Sequence, residues 1–428
     1  MISLRRLIKN ALPPLRPFTA KLESQLHRIN TLHLDQVLVQ NHNYTFADIE
    51  AIKRASLRFA GRLRVSENGR FVGYRFAPST TKPLLYCTVA ALLLKHLYGV
   101  SDPAIREELE TVVLYQGDDG LFRDPAIACP AAEQEDWWGW RHLTLHALMT
   151  LALYGVVARR DLQLPHELSD KDRLRDYLNA RDWGPRAAWT SNEVQNLGVM
   201  FQYARDYQNW QKANDLLDVL YDVIVDHQDP DTGLHGDRFD TPDHLSQGVQ
   251  ATYHFSLLFA YERRSIPHAD RIVESVLRTQ NLRGGYGVTW NSSACEDIDS
   301  IDLLVRLGSW THRESRILKA SLHRALSSLL TNLHANGGWV FRRDEPLMLP
   351  HSQMCSGPNE CNLFYTWFRT LALAYCLLGL GDESPIPLRY NWQLILAPGH
   401  QLSILPPPAL DLTHSSDTSL RAGSVPMS

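Results

Sequence analysis

Two kinds of helical pattern alternate along the chain. Segments such as "DPAIREELETVVLYQ", "NDLLDVLYDVIVDHQ", "ADRIVESVLRTQ" and "ILKASLHRALSSLLTNLH" carry one apolar stripe at helical spacing and are charged elsewhere. Between them run "TKPLLYCTVAALLLKHLYG", "DWWGWRHLTLHALMTLALYG", "SNEVQNLGVMFQYARD", "HLSQGVQATYHFSLLFAYE", "DIDSIDLLVRLG" and "NECNLFYTWFRTLALAYCLLG", which are apolar nearly all round. A helix with a single apolar stripe lies outside, and one that is apolar all round is buried. Gly-rich turns join the two kinds: "NGRFVGYRF" at 68–76, "DDGLFRD" at 118–124, "DTGLHGD" at 231–237, "GGYGVTW" at 284–290 and "GGWVFRRD" at 337–344. Three of the striped helices finish with Gln, at Gln116, Gln228 and Gln280. The apolar helices finish at Gly99, Gly155, Asp206, Glu262, Gly308 and Gly379.

Repetition of this kind marks stacked supersecondary units. It predicts six units of amphipathic helix, Gly turn and apolar helix; the unit with "NARDWGPRAAW" fits least well at its turn. Six helix pairs can close on themselves, so the predicted fold is all-α: an α/α toroid over residues 45–380, apolar helices inside and charged ones outside. No strand-rich segment competes with this reading. Residues 1–44 form N-terminal amphipathic and capping helices. In "MISLRRLIKNALPPLRPF", Leu4, Leu7, Ile8, Ala11 and Leu12 share one face while Arg5, Arg6, Lys9 and Arg16 supply charge. Such a helix either rests on an anionic membrane surface or packs on the body of the protein. Residues 381–428 are a Pro/Ser-rich tail without helical period.

Composition narrows the function. The 428 residues carry 43 basic and 47 acidic side chains, a net charge of −4, so no basic surplus or motif points to nucleic acid. The six cysteines are scattered and form no CxxC pair, which reads as buried thiols in a reducing, cytoplasmic compartment. No uninterrupted apolar run is long enough to cross a bilayer. Walker loops, GxGxxG turns and GxSxG elbows are lacking, so nucleotide chemistry and hydrolase nucleophiles have no support.

The polar residues of the apolar helices crowd their first turns. These include Asp136, Arg141, His142 and His146; Asn192 and Gln195; His244, Gln247, Gln250 and His254; Asp297, Asp299 and Asp302; and Glu360. In a toroid the inner helices run the same way, so their N-termini surround one mouth, where their dipoles favour acidic groups and anions. Glu296 or Asp297 can simply cap a helix. Asp299 and Asp302, three apart, share a face. Two carboxylates held close cannot both ionise cheaply, and a carboxylic acid kept protonated in a cavity is a general acid. Trp137, Trp138, Trp140, Trp189, Tyr253, Trp290, Phe364, Tyr365 and Trp367 are candidates to line the cavity, where ring faces stabilise cations or stack on sugars. Plain core packing is the alternative for each. His142 and His146 have a spacing that can hold a metal, or they are hydrogen-bonded cavity histidines.

The "Q…GGYG…W" and "GGWVF" turns resemble the Gln–Trp repeat of the terpenoid cyclases and protein prenyltransferases, a superfamily of α/α toroids. "DIDSIDLL" resembles the Asp-x-Asp-Asp motif of class II terpene cyclases, whose middle Asp donates the initiating proton. The resemblance implies Asp299 as proton donor and Asp297 as the first Asp. Ser300 stands where the family has its last Asp, and Asp302 is the acid nearest to replace it. It further implies an isoprenoid substrate with a polar head group, and no metal or other cofactor. The zinc pattern of the prenyltransferases is not reproduced, since Cys295 and Asp297 come in the reverse order; His351 follows later. A rival stands beside it. The set His142, His146, Asn192, Gln195, Gln247 and His254 also suits a glycan lyase or hydrolase, with Asp299 or Asp136 paired to Glu360. A non-catalytic binding toroid is the third reading.

Overall fold

The computed structural model describes residues 46–127, 139–308, 315–349, 351–383 and 392. The segments read as N-terminal helices and most of the tail lie outside the described residues, as do Asp136, Trp137 and Trp138.

Among the described residues, six apolar helices build the interior: α2 (Leu85–Leu97), α4 (Trp140–Leu153), α7 (Ala187–Tyr207), α9 (Pro242–Tyr261), α11 (Ala294–Gly308) and α13 (Leu363–Leu380). Each packs on the next, and α13 packs back on α2, so the ring is closed. The amphipathic helices lie outside it: α1 (Phe46–Leu63), α3 (Ala104–Leu114), α6 (Lys171–Asn179), α8 (Ala213–Asp226), α10 (Ala269–Arg278) and α12 (Ser315–Leu330), with a single turn, α5 (Leu164–Glu167), against α7. The fold is the all-α toroid expected from the pattern. α13 is long and apolar enough to cross a membrane, but it is an inner helix, buried along its length.

The Gly turns are stapled in a common way. Gln116, Gln228 and Gln280 each donate from Nε2 twice, once within their own turn and once to the segment beyond. Gln228, for example, reaches the Gly233 carbonyl at 2.8 Å and that of Pro267, just before α10, at 2.8 Å. Gly284 has φ +93°, and a Cβ there would lie 2.4 Å from the Arg324 carbonyl oxygen of α12, so only glycine lets the turn approach so closely. The last turn closes the ring: Ser56 of α1 donates to the Gly337 carbonyl at 2.8 Å.

One departure from the sequence reading is a small sheet. "NGRFVGYRF" is a hairpin of β1 (Arg64–Glu67) and β2 (Arg70–Arg75), extended by the short β3 (Pro83–Leu84). Asn68 and Gly69 sit at φ 51° and 77°, the positive values a two-residue hairpin turn needs. A second pair, β4 (Leu347–Met348) and β5 (Cys355–Ser356), lies between α12 and α13. Trp392, in the segment read as tail, is buried against Tyr98 at the end of α2, 5.5 Å between ring centres.

Candidate active site

Four of the Gly turns each hand one backbone N–H to the inner helix that follows. Phe122 donates to Thr144 Oγ1 at 2.8 Å, His235 to Thr252 Oγ1 at 3.0 Å, and Trp339 to Thr366 Oγ1 at 3.0 Å. In the remaining case Tyr286 donates to Asp297 Oδ1 at 3.0 Å. Asp297 therefore stands where three other units have threonine. Two residues further on, about half a helical turn, come His146, His254, Phe368 and Asp299. All four line one cavity of about 750 Å³ at the N-terminal ends of the inner helices.

The four acids at the start of α11 have different surroundings. Glu296 closes a capping box: its Oε2 accepts from Ser293 N at 2.8 Å, and Ser293 Oγ accepts from Glu296 N at 3.1 Å. The same carboxylate pairs with Arg342 at 3.0 Å. Asp297 is buried against Arg369 at 2.5 Å, and Arg369 also donates to the carbonyls of Val340, Phe341 and Ser292. Asp302 holds Arg306 through two bonds of 2.6 and 2.9 Å. Asp299 is buried with no hydrogen-bond or ion-pair partner among the described residues, and it faces the cavity. Burial pushes its carboxyl well above the usual carboxylate range, and the charges of Asp302, Glu296 and Asp297 push it further. Burial also raises Asp297 and Asp302, but Arg369 and Arg306 pull them back.

The facing walls are mixed. Trp189, Phe341, Tyr365 and Phe368 supply aromatic surface, with Leu145 and Met149 beside them. Asn192, Gln195, Gln247 and Gln250 supply polar atoms. Three buried histidines hold low basicity. Burial depresses His146 to about 4 and His254 to about 3, and pushes His142 well below the usual histidine range with help from its two neighbours. His142 Nδ1 meets the Tyr86 hydroxyl at 3.0 Å, His146 Nδ1 the His142 carbonyl at 2.9 Å, and His254 Nδ1 the Ser191 hydroxyl at 2.8 Å. Tyr253, also on the wall, has a buried hydroxyl without a hydrogen-bond partner among the described residues.

Of the residues singled out from sequence, Asp299, His142, His146, Asn192, Gln195, Gln247 and His254 meet in this cavity. Asp297 and Asp302 lie behind its wall in ion pairs. Trp367 is behind it as well, packed edge-on against His146 at 5.8 Å. Trp140 stacks under Arg123, 4.5 Å from its ring centre, and Arg141 bonds the Tyr177 hydroxyl of α6 at 3.1 Å. Two expectations are corrected. Glu360 does not face Asp299: it accepts from Ser79 N, Ser79 Oγ and Gly357 N, tying loops together outside the cavity. Trp290 is 51% exposed and lines a separate small pocket with Arg283 and Arg343, because its turn leads it outward. Phe341, Phe368 and Arg342 were not singled out; the repeat register locates Phe368, two residues beyond Thr366, whereas Phe341 and Arg342 sit in a loop with no period. No three His, Cys, Asp or Glu side chains gather as a metal site among the described residues.

No protein-family profile matches the chain, and no curated protein is detectably similar. Solved structures similar at low identity include the following three. The ent-copalyl diphosphate synthase of Streptomyces platensis is 17% identical with a TM-score of 0.41, over 70% of this chain and 51% of that one. This chain thus spans about half of that synthase's length. A polysaccharide lyase is 11% identical with a TM-score of 0.42, over 76% of this chain and 96% of its own. The GH76 α-mannanase of Bacteroides thetaiotaomicron is 12% identical with a TM-score of 0.44, over 79% and 96%. This likeness is one of fold and does not choose between their activities.

Proposed function

We propose that the chain is an enzyme that protonates an alkene or epoxide of an isoprenoid, so that the resulting cation cyclises within the toroid. One observation carries this reading. Three of the four acids opening α11 are neutralised by caps or arginines, while Asp299 is buried against the cavity without a partner among the described residues, its carboxyl pushed well above the usual range by burial and by its acidic neighbours. A carboxylic acid kept protonated at ordinary pH holds a proton that it can deliver to a substrate lying against it. Trp189, Phe341, Tyr365 and Phe368 present ring surface to the space where the cation forms. Asn192, Gln195 and Gln247, which also line the cavity, suit a polar head group. The chemistry calls for no metal at the acid.

Glycan processing is the second reading, favoured by the amide and imidazole groups of the same walls. Among the described residues the cavity gives it no second unpaired buried carboxylate, since Glu296 is held by Arg342 and Glu360 lies elsewhere. The test incubates wild type and Asp299→Asn with linear isoprenoids bearing neutral, carboxylate and diphosphate ends, and with acidic oligosaccharides. Mass spectrometry reads the products. A cyclised isomer of unchanged mass, reduced at least about a hundredfold in the variant, is the expected result. Cleaved sugars with no isomer would move the assignment to the glycan class.

A further inference from the structure

The 288–293 loop serves two spaces. Val288, Thr289 and Ser293 line the central cavity. Trp290, Asn291 and Ser292 line a separate pocket of about 150 Å³ against the end of α12. Two arginines line that pocket as well, Arg283 from the turn before α11 and Arg343 from the turn before α13.

Both arginines are uncommitted. Neither side chain has a hydrogen-bond or ion-pair partner among the described residues. The neighbouring Arg342, in contrast, is held by Glu296 and Glu345. No acidic side chain lines the pocket. Glu345, two residues from Arg343, is taken up by Arg342 and by Asn291 Nδ2, the latter at 2.8 Å. The carbonyls ending a helix are the other ordinary partners of nearby cations. At the end of α12 they are already used: the Ser328 carbonyl accepts from Thr331 N at 3.2 Å and Asn332 Nδ2 at 3.1 Å, and the Leu329 carbonyl from Asn332 N at 2.9 Å. Because carbonyls only accept, these bonds fix which way the Asn332 amide lies. Its buried Oδ1 is left without a partner among the described residues, an open acceptor on a lining residue.

We propose that this pocket binds a sugar phosphate, its phosphate between Arg283 and Arg343 and its ring on Trp290. A phosphate ester carries a charge of about −1.5 to −2 at pH 7 and three acceptor oxygens. That matches two unpaired guanidiniums and the Ser328 hydroxyl, which also has no partner among the described residues. A carboxylate brings a single charge and is filled by one guanidinium fork. The volume holds about five waters at about 30 Å³ each, room for a phosphate group but not for the ring behind it. The exposed face of Trp290 is where that ring lies. The frame is set in advance: Asn291 Nδ2 bonds the Arg343 carbonyl at 2.6 Å, and Asn281 Nδ2 bonds the Thr289 carbonyl at 2.9 Å and Ser292 Oγ at 2.8 Å. Binding therefore orders little beyond the side chains. The site is independent of the chemistry in the central cavity.

Isothermal titration calorimetry of the full chain tests this with inorganic phosphate, glycerol 3-phosphate, glucose 6-phosphate, glucose and glucuronate. Saturable binding of the three phosphates is expected, with glucose 6-phosphate at least about threefold tighter than glycerol 3-phosphate through the ring contact. Arg283→Gln and Arg343→Gln should each weaken all three at least about tenfold. Trp290→Leu should abolish the preference for the ring and leave inorganic phosphate within about twofold of wild type. Circular dichroism checks that the variants are folded. Phosphate that binds both arginine variants as well as wild type sits elsewhere and overturns the assignment, as does the absence of saturable binding below about 10 mM. Glucuronate binding as tightly as glucose 6-phosphate overturns the choice of phosphate, and a ring preference that survives Trp290→Leu overturns the placement of the sugar.

Discussion

Asp297 and Asp299 are two residues apart in opposite electrostatic circumstances. Asp297 shares its buried charge with Arg369, so Asp297→Ala leaves a guanidinium without its counter-ion. That change should cost about 3–5 kcal/mol in urea unfolding, the range for breaking a buried pair. Asp299 has no counter-ion among the described residues, and burial favours its neutral form. Its folded-state pKa is raised, so the unfolded chain releases this proton near pH 3.9 while the folded chain retains it. Stability from this group is therefore present below that pH and is lost as pH rises. Asp299→Asn removes the loss. The variant should gain on wild type by about 1.4 kcal/mol per pH unit above about pH 4, until the folded acid ionises. Urea midpoints of both proteins from pH 5 to 8 measure the gap, and a gap that stays constant would contradict a neutral Asp299. The DxD spacing was plain in the sequence. The partnership of Asp297 with Arg369 was not, because 72 residues separate them.

At the scale of elements, the Gln residues ending the outer helices do the same task three times. Gln228 is largely buried, and its amide satisfies two carbonyls that water reaches poorly. Gln228→Ala should destabilise by about 1–3 kcal/mol, the cost of leaving buried polar groups unmade. Gln228→Glu should restore none of it, since a carboxylate cannot donate to a carbonyl. Urea unfolding of the two variants decides this; rescue by Glu would refute the staple. The helices and their inner or outer placement follow directly from apolar periodicity, and the Gln positions were visible as a repeat. The register of turn on helix was not. The N–H donor and its acceptor are 22, 17, 11 and 27 residues apart in the four units. Loops of such different length hide the equivalence of Thr144, Thr252, Asp297 and Thr366 from any fixed period. The β1–β2 hairpin escaped for a related reason: its Asn-Gly turn sits where the other units carry a Gly turn, and six residues of strand look like a loop.

For the whole molecule, closure is the decisive feature. Gly337, at φ +87°, lies against Ala55 of α1, where a Cβ would meet the Ala55 backbone at 2.2 Å. This contact joins the last unit to the first outer helix. Gly337→Ala should lower stability by about 2 kcal/mol or more, from left-handed backbone strain and the clash together. Every inner helix has two inner neighbours, so the ring should still unfold as one unit. Far-UV circular dichroism and tryptophan fluorescence should give coincident transitions in wild type and variant. Separate transitions would mean that the helix pairs are independent, and that the closure described here does not couple them.

The sequence by itself determined the helices, their sorting into buried and exposed rings, and the crowding of polar groups at one set of helix starts. These follow from local periodicity and from the free energy of removing apolar faces from water, which depend on near neighbours. The tertiary structure decided which acid stays unpaired, which histidines share its cavity, and which aromatic residues reach it. Those outcomes depend on partners brought close only by ring closure. Arg369 and Arg306 neutralise two of the aspartates, and burial acts on the third without opposition. Charge on a buried carboxylate is set by its distances to other charges and to water, and such distances exist only once the ring has closed.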